Sequence, residues 1–334
     1  MTALLAAPLL GTPVWFWLAF LVLVAALTLF DLGLFNREDK AMGIGRSLRL
    51  SAGYIAIAMV FGGWVWLEKG ADLGMKYFTG YFIEKALSVD NIFVISLIFS
   101  FFAVPARYQY RALVWGIVGV IVLRAAMIAG GAALVAEAHW VLYLFAAFLI
   151  ATGVRMAFSE DAAPDLAGNR VIHWLRARLS VTPELHGEKF FVAVDDAASG
   201  RKVRAATPLF LALVVINLAD LVFAVDSVPA IFAITTDVFV VYTSNIMAVL
   251  GLRALYFALS AMIERFAYLK YALAAVLVFI GSKIFITDFL LGGAKFPPLA
   301  SLAITFALIG AGIGWSLWKT GPTAAAIDPD TRTI

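Results

Sequence analysis

Long apolar runs separated by shorter polar segments are the main pattern along this chain of 334 residues. A helix of about 20 apolar residues is long enough to cross the roughly 30 Å hydrocarbon core of a bilayer. Such runs lie at about 14–34, 50–67, 77–103, 111–135, 140–157, 207–233, 238–259, 269–290 and 298–318. The pattern therefore predicts an all-α membrane protein with about nine transmembrane helices in contact with the lipid bilayer.

The positive charges between the runs predict how the helices are oriented. Only Lys69, Lys76 and Lys295 lie in the segments on one side, whereas the segments on the other side carry most of the 25 Lys and Arg residues. Loops rich in Lys and Arg remain on the cytoplasmic side of a membrane. The sequence therefore predicts an N-terminus outside the cell and a C-terminus inside.

One hydrophilic segment, at 159–206, is much longer than the other connections. Within it, the stretches 190–194 and 201–204 flank a turn-like run from Asp195 to Gly200. Two short strand-like stretches around such a run are typical of a β-hairpin. We interpret the segment as a cytoplasmic linker that contains a small hairpin.

Composition agrees with a membrane protein and removes several other classes. Hydrophobic residues make up 63% of the chain and charged residues 14%, whereas a soluble domain has about 25% charged residues. The net charge of +3 comes from basic residues between the apolar runs, so we expect no nucleic-acid partner. The chain has no cysteine, which excludes disulfides, thiolate metal sites and cysteine nucleophiles.

Two apolar runs contain the same acidic motif. The first reads Glu84-Lys85-Ala86-Leu87-Ser88-Val89-Asp90-Asn91, and the second reads Asp220-Leu221-Val222-Phe223-Ala224-Val225-Asp226-Ser227. Aligned without gaps, Glu84 corresponds to Asp220, Asp90 to Asp226 and Asn91 to Ser227. Each ionised carboxylate at the centre of a membrane helix costs roughly 2.5 to 3.5 kcal/mol. Four such acids need compensation, and a bound cation is the leading candidate.

The duplication extends beyond the acidic motif. In the next helix of each half, Leu123-Arg124-Ala125 matches Leu252-Arg253-Ala254, and one helix later Gly153-Val154-Arg155 matches Gly281-Ser282-Lys283. Each half therefore contains three helices. Because three is odd, the second copy enters the membrane from the opposite side, as in the inverted repeats of transporters. The sequence thus predicts an inverted repeat that relates helices three to five to helices six to eight.

These features divide the chain into five predicted regions. They are two N-terminal helices (1–76), the first repeat (77–158), the cytoplasmic linker (159–206), the second repeat (207–291), and a ninth helix with a C-terminal tail (292–334). In an inverted repeat, a shared site lies near the middle of the membrane between the halves. We therefore expect the functional site where the two acidic motifs meet.

The spacing within the motif limits how the acids can act together. Six residues along a helix separate two side chains by about 9 Å and about 120°, so one unbroken helix cannot chelate an ion with both acids. Either the two helices face each other in two layers, with Glu84 and Asp226 outside and Asp90 and Asp220 inside, or the helices are broken at the motif. Pro229 favours a break in the second copy because it removes a backbone hydrogen bond.

The candidate ligands are mainly hard oxygen atoms, which suit Mn²⁺, Ca²⁺ or Mg²⁺. The predicted metal ligands are Glu84, Asp90, Asn91, Asp220, Asp226 and Ser227. Further candidates are Asp31, Ser88, Asn217, Asn245 and Met247. Of these, Asp31 can equally be an ordinary helix-end residue, and Met247 can equally be a packing residue.

Two arginines in the repeated helices, Arg124 and Arg253, are predicted counter-ions of the buried acids. They could be permanent structural partners that neutralise the carboxylates without any transport. They could instead be mobile groups that fill an empty cation site. Both interpretations stay open at this stage.

Several segments together resemble the TerC family, specifically its Alx-like branch. They are Phe30-Asp31, the two acidic motifs continuing to Pro229-Ala230, Thr182-Pro183-Glu184-Leu185-His186-Gly187, Ser244-Asn245-Ile246 and Gly251-Leu252-Arg253. The resemblance implies a multi-pass protein of the bacterial inner membrane, with a family name derived from tellurium resistance and a link to manganese export. A cavity lined by acids would repel the tellurite oxyanion, so a resistance phenotype would be indirect.

The sequence and the resemblance together favour a transporter. We expect Mn²⁺ as the transported substrate, with Ca²⁺ as the competing choice, protons as a candidate coupling ion and no resident cofactor. Assembly or metal loading of other membrane or secreted proteins is the alternative function. We expect no enzymatic activity, because the Gly-x-Gly-Asp signature of intramembrane aspartate proteases is absent. No sequence feature indicates an oligomeric state.

Overall fold

A computed structural model describes most of the chain. The described residues are 7–33, 44–138, 140–158, 172, 174, 178–195, 202–259, 268–290 and 296–320. The side chains of Asp90 and Asp226 lie outside this description, although both residues belong to described helices. Statements below about the whole bundle refer to these ranges.

The described chain consists of ten α-helices and two small antiparallel hairpins. The helices are α1 (Val14–Gly33), α2 (Ile44–Lys69), α3 (Ala71–Phe101), α4 (Ala106–Glu137), α5 (Val141–Phe158), α6 (Pro208–Phe232), α7 (Val238–Leu250), α8 (Leu252–Leu259), α9 (Leu269–Phe285) and α10 (Pro298–Thr320). The hairpins pair β1 (Pro8–Leu9) with β2 (Thr12–Pro13), and β3 (Phe191–Asp195) with β4 (Lys202–Ala206). A π-helical turn, Ile286–Leu290, extends α9.

Every predicted apolar run is helical, and the protein is an all-α multi-pass membrane protein. Within the described ranges, eight helical spans are long and apolar enough to cross a membrane, with α7 and α8 together forming one of them. The remaining long helix, α3, has 31 residues, and it is the one that carries Glu84, Lys85 and Asp90. Nine apolar spans were predicted, and eight satisfy the criteria of length and apolarity. Helix α3 is long enough, but the charged residues of its acidic motif make it less apolar than the other eight.

The hairpin predicted in the hydrophilic linker is present. Strand β3 pairs with β4 in the register Phe191 to Ala206 and Asp195 to Lys202. Apolar linker residues, among them Ile172 and Phe190, pack against the membrane helices at the end where α3 finishes and α4 starts. The linker therefore covers this end of the bundle.

The expected break at Pro229 is not found. Helix α6 runs without interruption from Pro208 to Phe232 and contains Pro229 in its last turn. A proline there removes only one bond close to the natural end of the helix, and the amide of Ala233 still bonds to the Pro229 carbonyl at 2.9 Å. The acids are therefore presented by two unbroken helices.

An interruption occurs instead at Gly251, between α7 and α8, where a single helix was predicted. A β-carbon on Gly251 would lie 2.8 Å from the Lys85 ammonium and 3.1 Å from the β-carbon of Tyr54. Lys85 donates a 3.2 Å hydrogen bond to the carbonyl of Ala248. A cation at the C-terminal end of a helix interacts favourably with the helix dipole, so Lys85 stabilises the end of α7.

The helices of the two repeated segments pack in matching pairs. Helix α3 packs on α7 and α4 packs on α6, while α5 and α9 form the most extensive helix contact. A β-carbon on Gly153 would lie 2.7 Å from the Ala274 carbonyl oxygen, and one on Gly281 would lie 2.6 Å from the Ala146 carbonyl oxygen. Gly153 corresponds to Gly281 in the sequence repeat, and Ala146 corresponds to Ala274. Each half therefore makes the same contact with the other half. Only glycine permits such close approach of the two backbones.

Candidate functional site

The centre of the bundle contains a fully buried arginine, Arg124, on α4. Its Nε donates to Asp220 Oδ2 at 3.0 Å, and its Nη2 donates to Asp220 Oδ1 at 2.9 Å. Two parallel bonds of this kind form the bidentate fork that arginine makes with a carboxylate. Asp220, on α6, is thereby held in a fixed orientation against α4.

The same guanidinium also binds the acid of the other repeat. Arg124 Nη1 donates to Glu84 Oε1 on α3 and to Asn245 Oδ1 on α7, the latter at 2.7 Å. Asn245 Nδ2 donates in turn to Glu84 Oε2 at 3.0 Å. The amide oxygen therefore faces the cation and the amide nitrogen faces the carboxylate, which is the favourable orientation for both.

Close helix contacts bring these groups together. A β-carbon on Gly80, one turn before Glu84, would lie 2.9 Å from the hydroxyl of Ser244, which directly precedes Asn245. The missing side chain lets α3 approach α7 closely enough for the bond between Glu84 and Asn245. Asn91, two turns after Glu84, donates a longer bond of 3.4 Å to Asp220 Oδ1. Four helices thus converge on one guanidinium.

The charges of this cluster do not cancel when its acids are ionised, because two carboxylates face one guanidinium. Glu84 is 1% exposed and Arg124 is 0% exposed, so water screens the excess negative charge poorly. Removing charges from water is costly unless they are paired and hydrogen-bonded. One added positive charge, from a proton or a small cation, would balance the cluster.

A cavity of about 70 Å³ adjoins the cluster. Its polar lining residues are Glu84, Asn91, Arg124 and Ser227, and its apolar lining residues are Leu87, Met156, Phe223 and Leu277. A cavity needs only about 10 to 15 Å³ of such volume to hold a water molecule. The space beside Glu84 is thus large enough for an ion or for a displaced side chain.

The two-layer arrangement was one of two alternatives for the acids, and it assigned Glu84 and Asp220 to different layers. In the structure, both acids bind Arg124. The Arg124 side chain is long, and its guanidinium contacts acids on two different helices. The helical spacing of the acids does not account for the length of an arginine side chain. The positions of the Asp90 and Asp226 carboxylates lie outside the described part of the structure.

Several further candidates lie apart from the cluster or are engaged with their own helix. Ser88 donates to the Glu84 backbone carbonyl at 2.7 Å, and Asn217 donates to the Leu213 carbonyl at 2.9 Å. Met247 is buried in an apolar core, in agreement with the packing interpretation. Asn245, by contrast, is a full member of the cluster.

Asp31 belongs to a second buried ion pair, with Arg253 on α8. The Arg253 guanidinium also lies 4.2 Å from the ring centre of Tyr110, and the Tyr110 hydroxyl donates to the Asp31 backbone carbonyl. The two arginines predicted as counter-ions are therefore both paired with acids. Tyr110 was not predicted as part of a site, because a tyrosine near the start of a helix is common in membrane proteins.

The donor set around Arg124 suits a hard cation. No group of three or more His, Cys, Asp and Glu side chains is present within the part of the chain that the structure describes. The oxygens of Glu84 and Asp220 are joined instead by amide oxygens of Asn91 and Asn245, and Asn91 Oδ1 accepts no hydrogen bond from a described residue. Carboxylate and amide oxygens are the ligands that Ca²⁺, Mg²⁺ and Mn²⁺ prefer.

Comparison with known proteins adds a family. Residues 69–323 match the family described as "Integral membrane protein TerC family". An uncharacterized membrane protein of Rickettsia bellii is 45% identical over 89% of this chain and 95% of its own length. Another from Myxococcus xanthus is 43% identical over 96% of this chain and 98% of its own length.

A third relative, from Escherichia coli, carries the name "Putative membrane-bound redox modulator Alx". It is 41% identical over 90% of this chain and 92% of its own length. No solved structure is significantly similar to this chain.

Proposed function

Because this chain belongs to the TerC family of integral membrane proteins, we propose that it transports a divalent metal cation, primarily Mn²⁺, outward across the bacterial inner membrane. One observation carries the proposal: Glu84 and Asp220, which correspond in the sequence repeat, are both bound by the buried Arg124. Carboxylates buried in a membrane protein usually mark an ion pathway. The hard oxygen donors around them match the chemistry of the cargo.

In this proposal Arg124 is a resident substitute for the metal ion. Its fork occupies both oxygens of Asp220, so a cation that binds there must displace it. A divalent ion offers twice the charge of a guanidinium to the same carboxylates. The cavity of about 70 Å³ beside Glu84 and Arg124 gives the displaced group or the arriving ion somewhere to go.

The internal repeat supports alternating access. The corresponding contacts of α3 with α7 and α4 with α6, and the reciprocal approaches of Gly153 and Gly281, are what a two-fold axis between the halves would produce. We propose that this axis lies in the membrane plane, so that the halves form an inverted repeat. Rocking of one half against the other would then expose the acids to each side in turn.

The name of the Escherichia coli relative raises a redox role as a rival. This chain has no cysteine, so it cannot exchange thiols and disulfides. Metal loading of another protein is the closer rival, since it would use the same acids. It differs from transport in requiring a receiving protein.

Liposomes that contain only this protein test the proposal. We expect Mn²⁺ to cross their membrane, and Asp220→Asn to reduce the flux at least 100-fold while the protein remains inserted, because the amide keeps the shape and removes the charge. Asp90→Asn and Asp226→Asn are expected to behave similarly. The matched control is Asp237→Asn, which changes an acid outside the cluster that pairs with Lys69 at 2.7 Å.

The outcomes separate the three interpretations. Loss of flux with normal protein abundance supports transport through the acid cluster. Loss of the protein itself would indicate that the acids are structural partners of Arg124, since stranding a buried charge costs about 3 to 5 kcal/mol. Absence of flux in the unmodified protein would favour metal loading, and unchanged flux in Asp220→Asn would refute the site.

A further inference from the structure

The ion pair between Asp31 and Arg253 is the second fully buried charge contact in the described bundle. Their side chains are 5% and 3% exposed, and Arg253 Nη2 donates to Asp31 Oδ1. Asp31 belongs to α1, which lies outside the sequence repeat. Arg253 is the repeat-related counterpart of Arg124. A helix outside the repeat thus holds one of the two repeated arginines.

Tyr110 adds a third helix to this contact. Its ring lies under the Arg253 guanidinium, with 4.2 Å between the guanidinium carbon and the ring centre. Its hydroxyl donates to the backbone carbonyl of Asp31. A guanidinium over an aromatic face is attracted by the ring in addition to its ion pair. One side chain therefore ties together α1, α4 and α8.

A narrow cavity joins this contact to the acid cluster. Its volume is about 20 Å³, room for about one water molecule. Its polar lining residues are Asn91, Asp220 and Arg253, and the others, including Ile95, are apolar or glycine. Arg253 and Asp220 thus line the same narrow space.

The contact lies toward the cytoplasmic end of the helices. Asp31 is two residues before the end of α1 at Gly33, and Tyr110 is four residues after the start of α4 at Ala106. With the orientation predicted from the basic residues, both helix ends face the cytoplasm. A group that closes the narrow cavity here therefore closes it from the cytoplasmic side.

A short helix, α8, follows α7 after a break in the helical run. The helix is interrupted at Gly251, and Arg253 lies in the first turn that follows. Hinges in domain and gate motions are commonly a few residues at the ends of helices. In the first repeat, Arg124 lies within the uninterrupted helix α4, so the interruption beside the arginine belongs to the second copy.

We propose that Asp31 and Arg253 form a latch that closes cytoplasmic access to Asp220, and that α8 opens it by turning about Gly251. The inference rests on the proposed transport function, because a gate is needed only where an ion passes. It assigns a positioning role to α1, the helix outside the repeat.

Site-specific thiol labelling tests the latch, and the natural absence of cysteine means that one introduced cysteine is the only target. Ile95→Cys places a thiol in the narrow cavity, where Ile95 is 6% exposed. The probe is a membrane-impermeant maleimide added to the cytoplasmic face of inside-out vesicles. We expect Asp31→Asn to increase the labelling rate at least tenfold, because a neutral amide oxygen binds the Arg253 guanidinium more weakly than a carboxylate does.

The matched control is Asp237→Asn, which breaks the ion pair with Lys69 at the opposite end of the bundle and should leave the labelling rate unchanged. An unchanged rate in Asp31→Asn, or an equal increase in both variants, would overturn the latch. If Asp31→Asn does not accumulate, Tyr110→Phe decides, since it removes one bond and keeps both charges: faster labelling supports the latch and an unchanged rate overturns it. Labelling requires no metal flux, so the latch and the transport proposal can fail independently.

Discussion

The two copies of the Leu-Arg-Ala motif have the same sequence and different surroundings. Arg124 lies within a continuous helix and binds two acids and an asparagine. Arg253 follows a helix interruption and binds one acid, Asp31. The corresponding arginines have thus acquired different neighbours through one added helix and one glycine. A repeat can therefore keep its motif while its two copies take separate roles.

The halves remain alike where their backbones touch. Gly153 and Gly281 make the same close approach to the opposite helix. We call this contact between α5 and α9 the seam, and it is alike on its two sides. Among the described residues, the halves differ in the surroundings of their arginines and in the segment around Gly251. Paired substitutions at corresponding positions of the two halves test which parts of the halves behave alike.

The largest expected effect is that of Arg124→Gln. It leaves Glu84 and Asp220 buried without their cation, and breaking a buried ion pair in this way typically costs about 3 to 5 kcal/mol. We expect a large fall in the thermal stability of the detergent-solubilised protein. If Arg124 substitutes for a metal ion, added Mn²⁺ should restore much of the loss, since ligand at about 100 times its Kd contributes about 2.7 kcal/mol.

Arg253→Gln is the matched variant for that experiment. It strands one acid, Asp31, rather than two, so we expect a smaller loss, near the lower end of the about 3 to 5 kcal/mol typical of a broken buried ion pair, and no selective rescue by Mn²⁺. Equal losses in the two variants, or Mn²⁺ rescue of neither, would remove the distinction between the two arginines.

An intermediate effect is expected at the seam, where the halves should respond alike. Gly153→Ala and Gly281→Ala each place a β-carbon against a backbone carbonyl, at 2.7 and 2.6 Å. Overpacking of this kind typically costs about 1 to 3 kcal/mol, and we expect similar losses of thermal stability in both. Gly130→Ala is the control, because a β-carbon there meets nothing within 4 Å. Clearly unequal losses would argue against a two-fold relation between the halves.

The smallest effect is expected at the interruption. Gly251→Ala forces the Lys85 ammonium to move and weakens its bond to the Ala248 carbonyl, a loss of about 1 kcal/mol. The corresponding position in the first repeat is Val122, which is 63% exposed, and Val122→Ala should change stability by less than about 0.5 kcal/mol. Thermal unfolding measures both. An equal response at the two positions would mean that the interruption has no special role.

Local patterns were sufficient to predict most of the fold. Hydrophobic runs predicted the helices because a membrane span depends on the length and apolarity of one segment. The hairpin at Phe191–Asp195 and Lys202–Ala206 was likewise predicted from its own turn and flanking strands. Charges inside apolar runs predicted a buried acidic site, since such charges need partners.

The partner choices within the site were harder to predict. Which acid meets which arginine depends on helix rotation and side-chain reach, so the shared contact of Glu84 and Asp220 with Arg124 did not follow from a six-residue spacing. The effect of Pro229 depends on how many helical residues follow it, and that helix end is set by the tertiary fold. The interruption at Gly251 could not be predicted, because a glycine was its only sign in the sequence and membrane helices often contain glycine without a break.

The charge on α3 has a consequence for how the protein is made. Glu84 emerges from the ribosome 40 residues before Arg124, and Arg124 emerges 96 residues before Asp220. A growing chain that ends after α3 would have to place an uncompensated carboxylate in lipid, so we expect α3 to enter the bilayer stably only together with α4, as a hairpin. Chains truncated after either helix would measure this step. We therefore expect the first half to enter the membrane as a pair of helices, with the Arg124 guanidinium compensating the Glu84 carboxylate as α3 inserts.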